Sequence, residues 1–413
     1  MRHSDPSTRH RVRLLHVTTV PQSLYFFLAG QVRYMKSRGM DVSALSSPGH
    51  FLEMFAASED VPLYAVTMRR RITPVRDLIA LFRLWRHLRR IRPHIVHAHT
   101  PKGGLLGMIA GWLAGVPIRI YHIHGLPLLS ETGLKRVILR RTERISCGLS
   151  HQVLCVSESV RSVAVSDGLC PEDRIKVPPP GSINGVDATG RFCPDRVDAE
   201  SRERIRRNHG IPSDALLVGF VGRIARDKGM SELAQAWRTL RERFASLHLL
   251  IVAGPDPHDP VPPEVERQFR EDDRTHLAGH VSDTPPFYAA MDVLVLPTYR
   301  EGFPLTLLEA AAMALPIVAT RVPGCVDAVV DGVTGLLVPV RDARALSGAI
   351  QRYLENPGLR RQHGLAGRQR VLREFRQEPL WEALFDEYAR LLAEKGLPLP
   401  EPAASGFGVS KAA

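Results

Sequence analysis

The chain has 413 residues, 44% of them hydrophobic, which is enough for two domains with full-sized cores. Its net charge of +12 is confined to the first half, because residues 1–200 hold 28 Lys and Arg against 16 Asp and Glu, whereas residues 201–413 hold 27 of each. Five scattered cysteines without a CxxC pair favour free thiols over a zinc site, and no apolar run reaches the roughly 18 residues that a membrane-spanning helix needs.

Short apolar strands alternate with helices in the first half of the chain. Strands are predicted at residues 12–20, 42–46, 63–68, 95–98, 118–123 and 152–156, and helices at 24–38, 75–91, 103–114, 135–147 and 158–165. This alternation predicts a parallel sheet covered by helices on both faces. Residues 1–11 are polar and are predicted to form a disordered lead-in.

The turn-rich segment PPPGSINGVD begins a linker at residues 178–214, after which the alternation restarts. Strands are predicted at residues 216–221, 249–253, 293–296 and 317–319, and helices at 230–243, 265–272 and from 304 onward. We therefore predict an α/β fold of two facing Rossmann-like domains, at 12–200 and 201–378, with a cleft between them. A terminal helix at 379–395 is expected to pack back across the domains, and residues 396–413 are expected to be a disordered tail.

The stretch LPTYREGFPLTLLEAAAMALPI combines a strand end, a tight turn and a helix start. Pro304 suits the first position of the helix, whose first backbone amides lack partners and so favour an anion. Glu301 precedes this start, and Glu309 lies about 7.5 Å along the axis from Pro304 at roughly 1.5 Å per residue. Two acids around an anion site suit a sugar nucleotide, which offers phosphates and hydroxyls together. Simple helix capping and a solvated Glu would give the same pattern.

The loop GRIARDKG follows the first strand of the second half and contains Gly222, Arg223 and Lys228. Ligands bind beyond the carboxyl ends of parallel strands, and two cations at this place can neutralise a diphosphate without a metal. Two solvated loop charges are the alternative. The Walker pattern GxxxxGK[ST] is absent from the loop and neither half contains GxGxxG, which disfavours a dehydrogenase.

Taken in order, these motifs resemble those of the retaining glycosyltransferases of family 4, which have the two-domain B-type (GT-B) fold. The matching segments are GRIARDKG, LLIVAG, LAGHVSD, the run from YAAMD to LPIVAT with its Glu-x7-Glu spacing, and GVTGLLV. In the first half, TTVPQSLYFF, SSPG and HTPKGG most resemble the bacterial subgroup that builds capsule, O-antigen or lipid-linked saccharides.

The resemblance implies a role for each matching residue. Gly222, Arg223 and Lys228 would bind the donor diphosphate, together with the amides near Leu305 and Thr306. Glu309 would accept hydrogen bonds from the ribose, Glu301 would face the transferred sugar, and the backbone around Val281 would lie near the base. The implied reaction retains the anomeric configuration and needs no essential metal. It uses no cofactor either, since the nucleotide sugar is a substrate.

Two histidine-rich strand ends, HIVHAHTPKGG and YHIHGLP, lie in the first half. His124, followed by Gly125, matches the family histidine that contacts the donor sugar and is assigned to catalysis with Glu301, Lys228 and Arg223. His99 and Lys102 are predicted to contact the acceptor. Structural histidines are one alternative and zinc ligands another. We predict no metal site, because neither a carboxylate or Cys set nor HExxH accompanies these runs.

The segment MRRRITPVRDLIALFRLWRHLRRIRP holds nine arginines and a single acid, Asp77. Helical spacing gives residues 75–91 a broad apolar face and a strongly basic face. A sheet-covering helix with solvated arginines would look the same, and no module for nucleic acid accompanies it, so no nucleic-acid partner is predicted. We expect the basic helix to bind an anionic membrane, which would place the protein in the cytoplasm, attached peripherally to the inner face of the plasma membrane.

The sequence thus predicts a transferase that moves a sugar from a nucleotide-sugar donor to a polyprenyl-diphosphate-linked or other saccharide acceptor in cell-surface polysaccharide synthesis. By resemblance, the donor would be a UDP-N-acetylhexosamine or a UDP-hexose. A nucleotide-sugar epimerase of the same fold and a catalytically silent, membrane-bound partner subunit are the alternatives.

Overall fold

The computed structural model describes residues 11–401, so most of the predicted lead-in and part of the predicted tail lie outside the described residues. Contacts divide the chain into two compact units. Unit 1 takes the described parts of Met1–Val156, Arg161–Asn184 and Gln377–Ala413, and unit 2 takes Ser157–Val160 and Gly185–Arg376. Apart from the short segment Ser157–Val160, the chain leaves unit 1 after Asn184, upstream of the predicted boundary at residue 200, and returns to it at Gln377.

Unit 1 contains a parallel sheet with the strand order β3-β2-β1-β4-β5-β6-β7. The strands are β1 (Val12–Val17), β2 (Met40–Ser46), β3 (Leu63–Ala65), β4 (Ile95–His99), β5 (Ile118–Ile123), β6 (Gln152–Cys155) and β7 (Ile175–Lys176). Apart from the edge strand β3, their apolar side chains are buried on both faces, as the predicted parallel sheet requires.

The helices of this unit cover the sheet. They are α1 (Pro21–Phe27), α2 (Gln31–Ser37), α3 (His50–Glu59), α4 (Pro74–Ile91), α5 (Pro101–Leu113), α6 (Gly133–Leu149), α7 (Glu158–Ser166) and the terminal helix α16 (Gln377–Glu394). Leu384, Tyr388 and Leu392 of α16 are buried in the same core as Leu14 and Ile120 of the sheet. The terminal helix is therefore an integral part of the core of unit 1.

The single helix predicted at residues 24–38 is wrong, because the structure has α1 and α2 with Gly30 between them. Gly30 has a φ of +78°, and its N–H donates to the buried carboxylate of Glu59 at 2.8 Å. The other oxygen of Glu59 accepts from the N–H of Arg33 at 3.2 Å. A carboxylate from α3 thus caps the start of α2, and this long-range contact breaks the helical pattern.

Unit 2 contains a second parallel sheet, with the order β10-β9-β8-β11-β12-β13. Its strands are β8 (Leu216–Val221), β9 (Leu247–Val252), β10 (Thr275–Leu277), β11 (Val293–Leu296), β12 (Ile317–Thr320) and β13 (Gly335–Val338). Its helices are α8 (Ala199–Asn208), α9 (Met230–Arg243), α10 (Pro263–Glu271), α11 (Pro285–Ala290), α12 (Leu305–Ala312), α13 (Cys325–Ala328), α14 (Ala343–Glu355) and α15 (Pro357–Glu374). The strand order reverses direction between β8 and β11, where open α/β sheets bind ligands.

None of the helices in residues 11–401 combines the length and the apolar character that crossing a bilayer requires.

Candidate active site

The loop after β8 lies against the end of β11 in unit 2. Gly229 closes a single 3₁₀ turn at Arg226–Lys228, with a φ of +68°. A Cβ at this position would come within 1.9 Å of the carbonyl oxygen of Pro297, so only glycine allows this approach. The close contact brings Lys228 beside the turn that carries Glu301.

Lys228 and Glu301 form an ion pair between the Nζ and Oε1 atoms. The two side chains are only 15% and 13% exposed, so the pair is largely shielded from water. The sequence motifs predicted that Lys228 binds the donor diphosphate and that Glu301 faces the transferred sugar. The structure brings the charged groups of these two residues together. A shielded cation and carboxylate at the carboxyl end of a parallel sheet can orient a charged ligand.

Arg223 lies in the same loop and pairs with two carboxylates. It contacts Asp256 in a short ion pair, and its guanidinium is 3.6 Å from the carboxylate of Asp227, which also binds Arg300 at 2.9 Å. The Arg223 side chain remains 43% exposed. Part of its planar donor set therefore faces solvent, where a phosphate could bind.

The helix whose start is predicted to bind an anion is α12, and it begins one residue later than predicted. Pro304 has an extended ψ of 107° and is the N-cap, so Leu305 and Thr306 are the first helical residues. Their amides belong to the first turn, which has no carbonyl partners within the helix. The turn before α12 is held by Ser157, whose hydroxyl donates to the carbonyl of Gly302 at 2.9 Å.

Glu309 is half-buried on α12, and the hydroxyl of Tyr288 donates to its Oε2 atom at 2.7 Å. Burial raises the pKa of this carboxyl, while the Tyr288 hydrogen bond and the charge of Arg191 act to lower it. Arg191 also donates to the carbonyl of Ser282 at 2.7 Å, next to Val281. The sequence motifs did not identify Tyr288 or Arg191 as site residues. Tyr288 is the first residue of the matching segment YAAMD, and this position could have identified it.

In unit 1, the predicted residues His99 and His124 belong to a cluster of five histidines. His99 is 1% exposed, and its Nδ1 atom is 2.8 Å from Nε2 of His124. Its Nε2 atom is 3.0 Å from Nδ1 of His16. His124 also stacks on Phe27, with ring centroids 5.0 Å apart. Both ring nitrogens of His99 therefore have partners within the cluster.

The histidines of this cluster are neutral at physiological pH. Burial lowers the pKa of His16 and of His124 to about 3. Burial, followed by repulsion from neighbouring rings, also lowers the pKa of His97, His99 and His122 well below the usual value. Neutral imidazoles can each donate and accept one hydrogen bond, or bind a metal.

Lys102, the other predicted acceptor contact, is held at the start of α5. Its Nζ atom binds both oxygens of Asp77, at 2.8 and 2.9 Å, and the carbonyl of Arg71 at 2.5 Å. Asp77 also accepts from the N–H and hydroxyl of Thr73. The one acid of the basic helix therefore fixes the start of α4 to α5 through Lys102.

Both units match families of known proteins. The family model "Glycosyl transferase 4-like domain" matches residues 27–181, and the model "Glycosyl transferases group 1" matches residues 215–356. The chain is 31% identical over 382 residues to the "Capsular polysaccharide biosynthesis glycosyltransferase CapM" of Staphylococcus aureus, covering 92% of this chain and 98% of that protein. It is 23% identical to the "UDP-Gal:alpha-D-GlcNAc-diphosphoundecaprenol alpha-1,3-galactosyltransferase" of Escherichia coli, covering 85% and 90% of the two chains.

Solved structures agree on the fold. A glycosyltransferase of Rickettsia africae gives a TM-score of 0.76 at 19% identity, over 93% of this chain and 99% of that one. The HepE protein of Anabaena, crystallised with UDP, gives 0.74 at 17% identity, over 92% and 100%.

The two parallel sheets have the GT-B fold of these solved glycosyltransferases. The chain belongs to the group 1 glycosyltransferases with a family 4-like first domain, which confirms the resemblance found in the motifs.

Proposed function

We propose that the protein is a retaining glycosyltransferase that transfers a sugar from a UDP-N-acetylhexosamine or UDP-hexose to a lipid-linked or polysaccharide acceptor in cell-surface polysaccharide synthesis. The observation that carries the proposal is the shielded Lys228–Glu301 pair beside the start of α12, with the Glu309–Tyr288 pair farther along that helix. This arrangement offers cations and amides to a diphosphate and carboxylates to sugar hydroxyls.

The donor site lies in unit 2. Arg223, Lys228 and the amides of Leu305 and Thr306 bind the diphosphate, with the chain at Gly222 passing close by. Glu309 accepts from the ribose hydroxyls through the oxygen that Tyr288 leaves free, and the backbone at Val281 meets the base. Glu301, held by Lys228, binds the hydroxyls of the transferred sugar.

The reaction breaks the bond between the anomeric carbon and the diphosphate oxygen, and the electron pair passes to that oxygen. Lys228 and Arg223 stabilise the charge that develops there. The acceptor hydroxyl bonds to the anomeric carbon on the same face, and its proton passes to the departing diphosphate. This route asks for no nucleophile from the protein, and it retains the anomeric configuration.

Unit 1 serves the acceptor. The Escherichia coli relative is named for an acceptor with a diphosphoundecaprenol carrier, and the Staphylococcus aureus relative is named for capsular polysaccharide. A lipid-linked saccharide lies at a membrane surface, and the strongly basic first half of this chain suits binding to an anionic membrane. We assign His124 to the sugar that is transferred. Lys102 and His99 belong to the acceptor side, where the buried His99 acts by positioning His124 through their 2.8 Å hydrogen bond.

The basic helix α4 binds an anionic membrane surface. Its residues Ala80, Leu84 and Leu88 are buried, whereas Val75 and Leu78 are 75% and 67% exposed. Exposed arginines interrupt this apolar surface, namely Arg76, Arg83, Arg86, Arg89 and Arg90. Exposed apolar residues beside exposed arginines are typical of helices that lie in the interface of a bilayer.

Helix α6 repeats the same pattern on the other side of α5. Leu134 is 75% exposed, and Val137, Ile138 and Ile145 are exposed as well. The exposed Arg136, Arg140, Arg141 and Arg144 lie between them. Both α4 and α6 pack against α5, so unit 1 presents two amphipathic helices rather than the single one that the sequence predicted.

A panel of nucleotide sugars in a thermal-shift assay, followed by turnover on polyprenyl-diphosphate sugars, tests the donor site. We expect Lys228→Ala to lower kcat by about 100- to 1,000-fold, as the loss of one charge-stabilising donor does elsewhere. Glu309→Ala should mainly raise the donor KM. Arg243→Ala, which breaks an exposed ion pair with Glu355 in the same unit, is the matched control and should change neither constant.

Unchanged kinetics in both site variants would overturn the assignment. Rearrangement of the donor without any acceptor would identify an epimerase instead. A chain that neither binds nor turns over any nucleotide sugar would be a silent partner subunit.

Flotation with vesicles that contain anionic lipid tests the membrane surface. Neutralising Arg83, Arg86, Arg89 and Arg90 to Gln should release the protein at physiological salt, since each charge near such a surface contributes about 1 kcal/mol. The matched control neutralises four exposed arginines of unit 2, Arg202, Arg238, Arg267 and Arg361. Equal release by both variants would mean that net charge alone, and not α4, binds the membrane.

A further inference from the structure

Five histidines lie on one face of the sheet in unit 1. The parallel register pairs His16 of β1 with His97 of β4, and His99 of β4 with His122 of β5. Residues two apart on a strand share a face, so His97 and His99 point the same way, as do His122 and His124. The neighbouring rings are close, with centroids of His97 and His99 only 4.2 Å apart.

Half of the ring nitrogens in this cluster have no hydrogen-bond partner within the described residues. They are Nε2 of His16, Nε2 of His97, both nitrogens of His122, and Nδ1 of His124, and all are buried. An unpartnered buried polar atom costs about 1–3 kcal/mol, and native structures contain few of them. Five such atoms in one cluster are consistent with a bound ligand that accepts imidazole lone pairs.

We propose that His16, His97 and His99 bind one late first-row divalent metal ion, of which Zn²⁺ is the type. One nitrogen from each of these three histidines lies within 4.8 Å of the others. The Nδ1 atom of His16 and Nε2 of His99 are 3.0 Å apart. Two imidazoles on one tetrahedral Zn²⁺ have their nitrogens about 3.3 Å apart, given Zn–N bonds of about 2.0–2.1 Å.

Two of the three ligands have, on their other ring nitrogen, a partner of the kind that metal-binding histidines usually have, whereas Nε2 of His16 has none within the described residues. The hydroxyl of Tyr388 is 2.6 Å from Nδ1 of His97, which leaves Nε2 of that ring for the metal. Likewise, His124 is bonded to Nδ1 of His99, which leaves Nε2 of His99. Such outer partners fix the ring orientation and the tautomer of a ligand.

A second group, His99, His122 and His124, also brings its nitrogens within 4.8 Å, but it shares His99. We assign the ion to the deeper group, because His16 and His97 are fully buried whereas His124 is half-buried and stacked on Phe27. This choice also leaves His124 for the transferred sugar.

An all-imidazole ligand set suits Zn²⁺, Ni²⁺, Co²⁺ or Cu²⁺ rather than Mg²⁺ or Ca²⁺, which prefer oxygen ligands. Three neutral histidines leave a fourth position for water. The ion would join β1 to β4 and, through Tyr388, to α16. This proposed structural site departs from the prediction of no metal site, and its test does not depend on the proposed function.

The test uses the full chain without a histidine tag, stripped with chelator and then saturated with Zn²⁺, Ni²⁺ or Co²⁺. We expect one ion per chain by elemental analysis, a tetrahedral visible spectrum with Co²⁺, and a thermal transition that rises with Zn²⁺ and falls on chelation. A protein that binds no stoichiometric metal would overturn the proposal. The cluster would then be a row of neutral imidazoles joined by hydrogen bonds.

Variants then test the ligand assignment. Tyr388→Phe should weaken Zn²⁺ binding by about 10- to 100-fold, as loss of an outer partner does in other sites. His97→Gln should abolish it. The control is His276→Gln, which disrupts a stacked pair with His248 in unit 2, 2.9 Å apart, and should leave metal binding unchanged. A folded His97→Gln variant with wild-type affinity would overturn the assignment, and the Co²⁺ spectrum of the wild type decides the case if that variant does not fold.

Discussion

At the scale of single residues, the charged side chains of the proposed donor site already have protein partners. Lys228 pairs with Glu301, Arg223 with Asp256, and Glu309 accepts from Tyr288. The sequence pattern identified the four charged residues of the site but not Asp256 or Tyr288, because hydrogen bonds between distant segments leave no spacing to recognise. Partners of this kind hold the charged groups in place before a ligand arrives, which lowers the cost of binding.

Tyr288→Phe tests whether Tyr288 positions Glu309. Its hydroxyl is the partner of a half-buried carboxylate, so its loss should cost about 1.5–3 kcal/mol of donor binding, a rise in donor KM of roughly 10- to 100-fold with a smaller change in kcat. Steady-state kinetics over a range of donor concentrations measures the split. Tyr353→Phe, which removes a hydroxyl bonded to His363 in the same unit, is the control. Equal effects from both variants would indicate a general loss of stability.

Glu143 predicts a pH dependence of stability. Burial raises the pKa of this carboxyl to about 7, from 4.5 in the unfolded chain, although Tyr121 donates to it at 2.7 Å. The folded state therefore holds a proton that the unfolded state has lost, so stability falls as pH rises from about 4.5 to 7 and stays low above that.

Glu143→Gln should remove this dependence. The wild-type cost at pH 8 is about 3 kcal/mol, from a shift of roughly 2.5 pKa units at 1.36 kcal/mol each. We expect the variant to be more stable than the wild type at pH 8 and to lose that advantage at pH 5. Urea unfolding at the two pH values measures the difference, and an equal effect at both would show that the carboxyl is already ionised in the fold.

At the scale of elements, the sequence predicted most strands and helices but misjudged where some of them end. The apolar spacing of residues 24–38 continues through Gly30, and only the carboxylate of Glu59 and the ring of Trp381 divide it into α1 and α2. Similarly, α3 follows SSPG without a strong periodic signal, and Pro304 caps α12 instead of starting it. Helix ends depend on partners from other elements, which local spacing does not contain.

Gly30→Ala tests the break between α1 and α2. A Cβ at Gly30 would lie 2.7 Å from the ring of Trp381, at a φ of +78°. The backbone strain should cost about 1–2 kcal/mol, and the clash about a further 1–3 kcal/mol. The control is Gly115→Ala, at a φ of +69° with no neighbour within 4 Å, which should lose only the first amount. Equal unfolding free energies for the two variants would show that Trp381 moves aside without cost.

At the scale of the whole molecule, unit 1 is built from segments that are far apart in the chain. The last described helix, α16, belongs to unit 1, although more than 190 residues of unit 2 precede it in the chain. It places Leu384, Tyr388 and Leu392 in the core of unit 1 and brings Tyr388 to His97. Unit 1 is therefore complete only when α16 has been made.

Removing residues 377–413 should unfold unit 1 selectively. Each large apolar side chain lost from the core costs about 1.5–3 kcal/mol, and several such losses exceed the usual 5–15 kcal/mol of total stability. We expect calorimetry to lose the transition of unit 1 and to keep that of unit 2, which UDP should still raise. Removal of residues 402–413 alone is the control and should change neither transition. A truncated chain that keeps both transitions would show that α16 is dispensable for the core.

The sequence by itself determined the α/β class, the two Rossmann-like halves, the family and the charged residues of the donor loop, because strand and helix periods, turn residues and ordered motifs are local signals. Only the tertiary structure decided that Glu59 caps α2, that Tyr288 and Arg191 lie beside Glu309, and that α16 completes unit 1. It also gathered His16 with the histidines of HIVHAH and YHIH, since parallel pairing aligns strands that lie about 80 residues apart in the chain. These contacts arise from pairing between distant segments, and the spacing of residues along one segment carries no record of them.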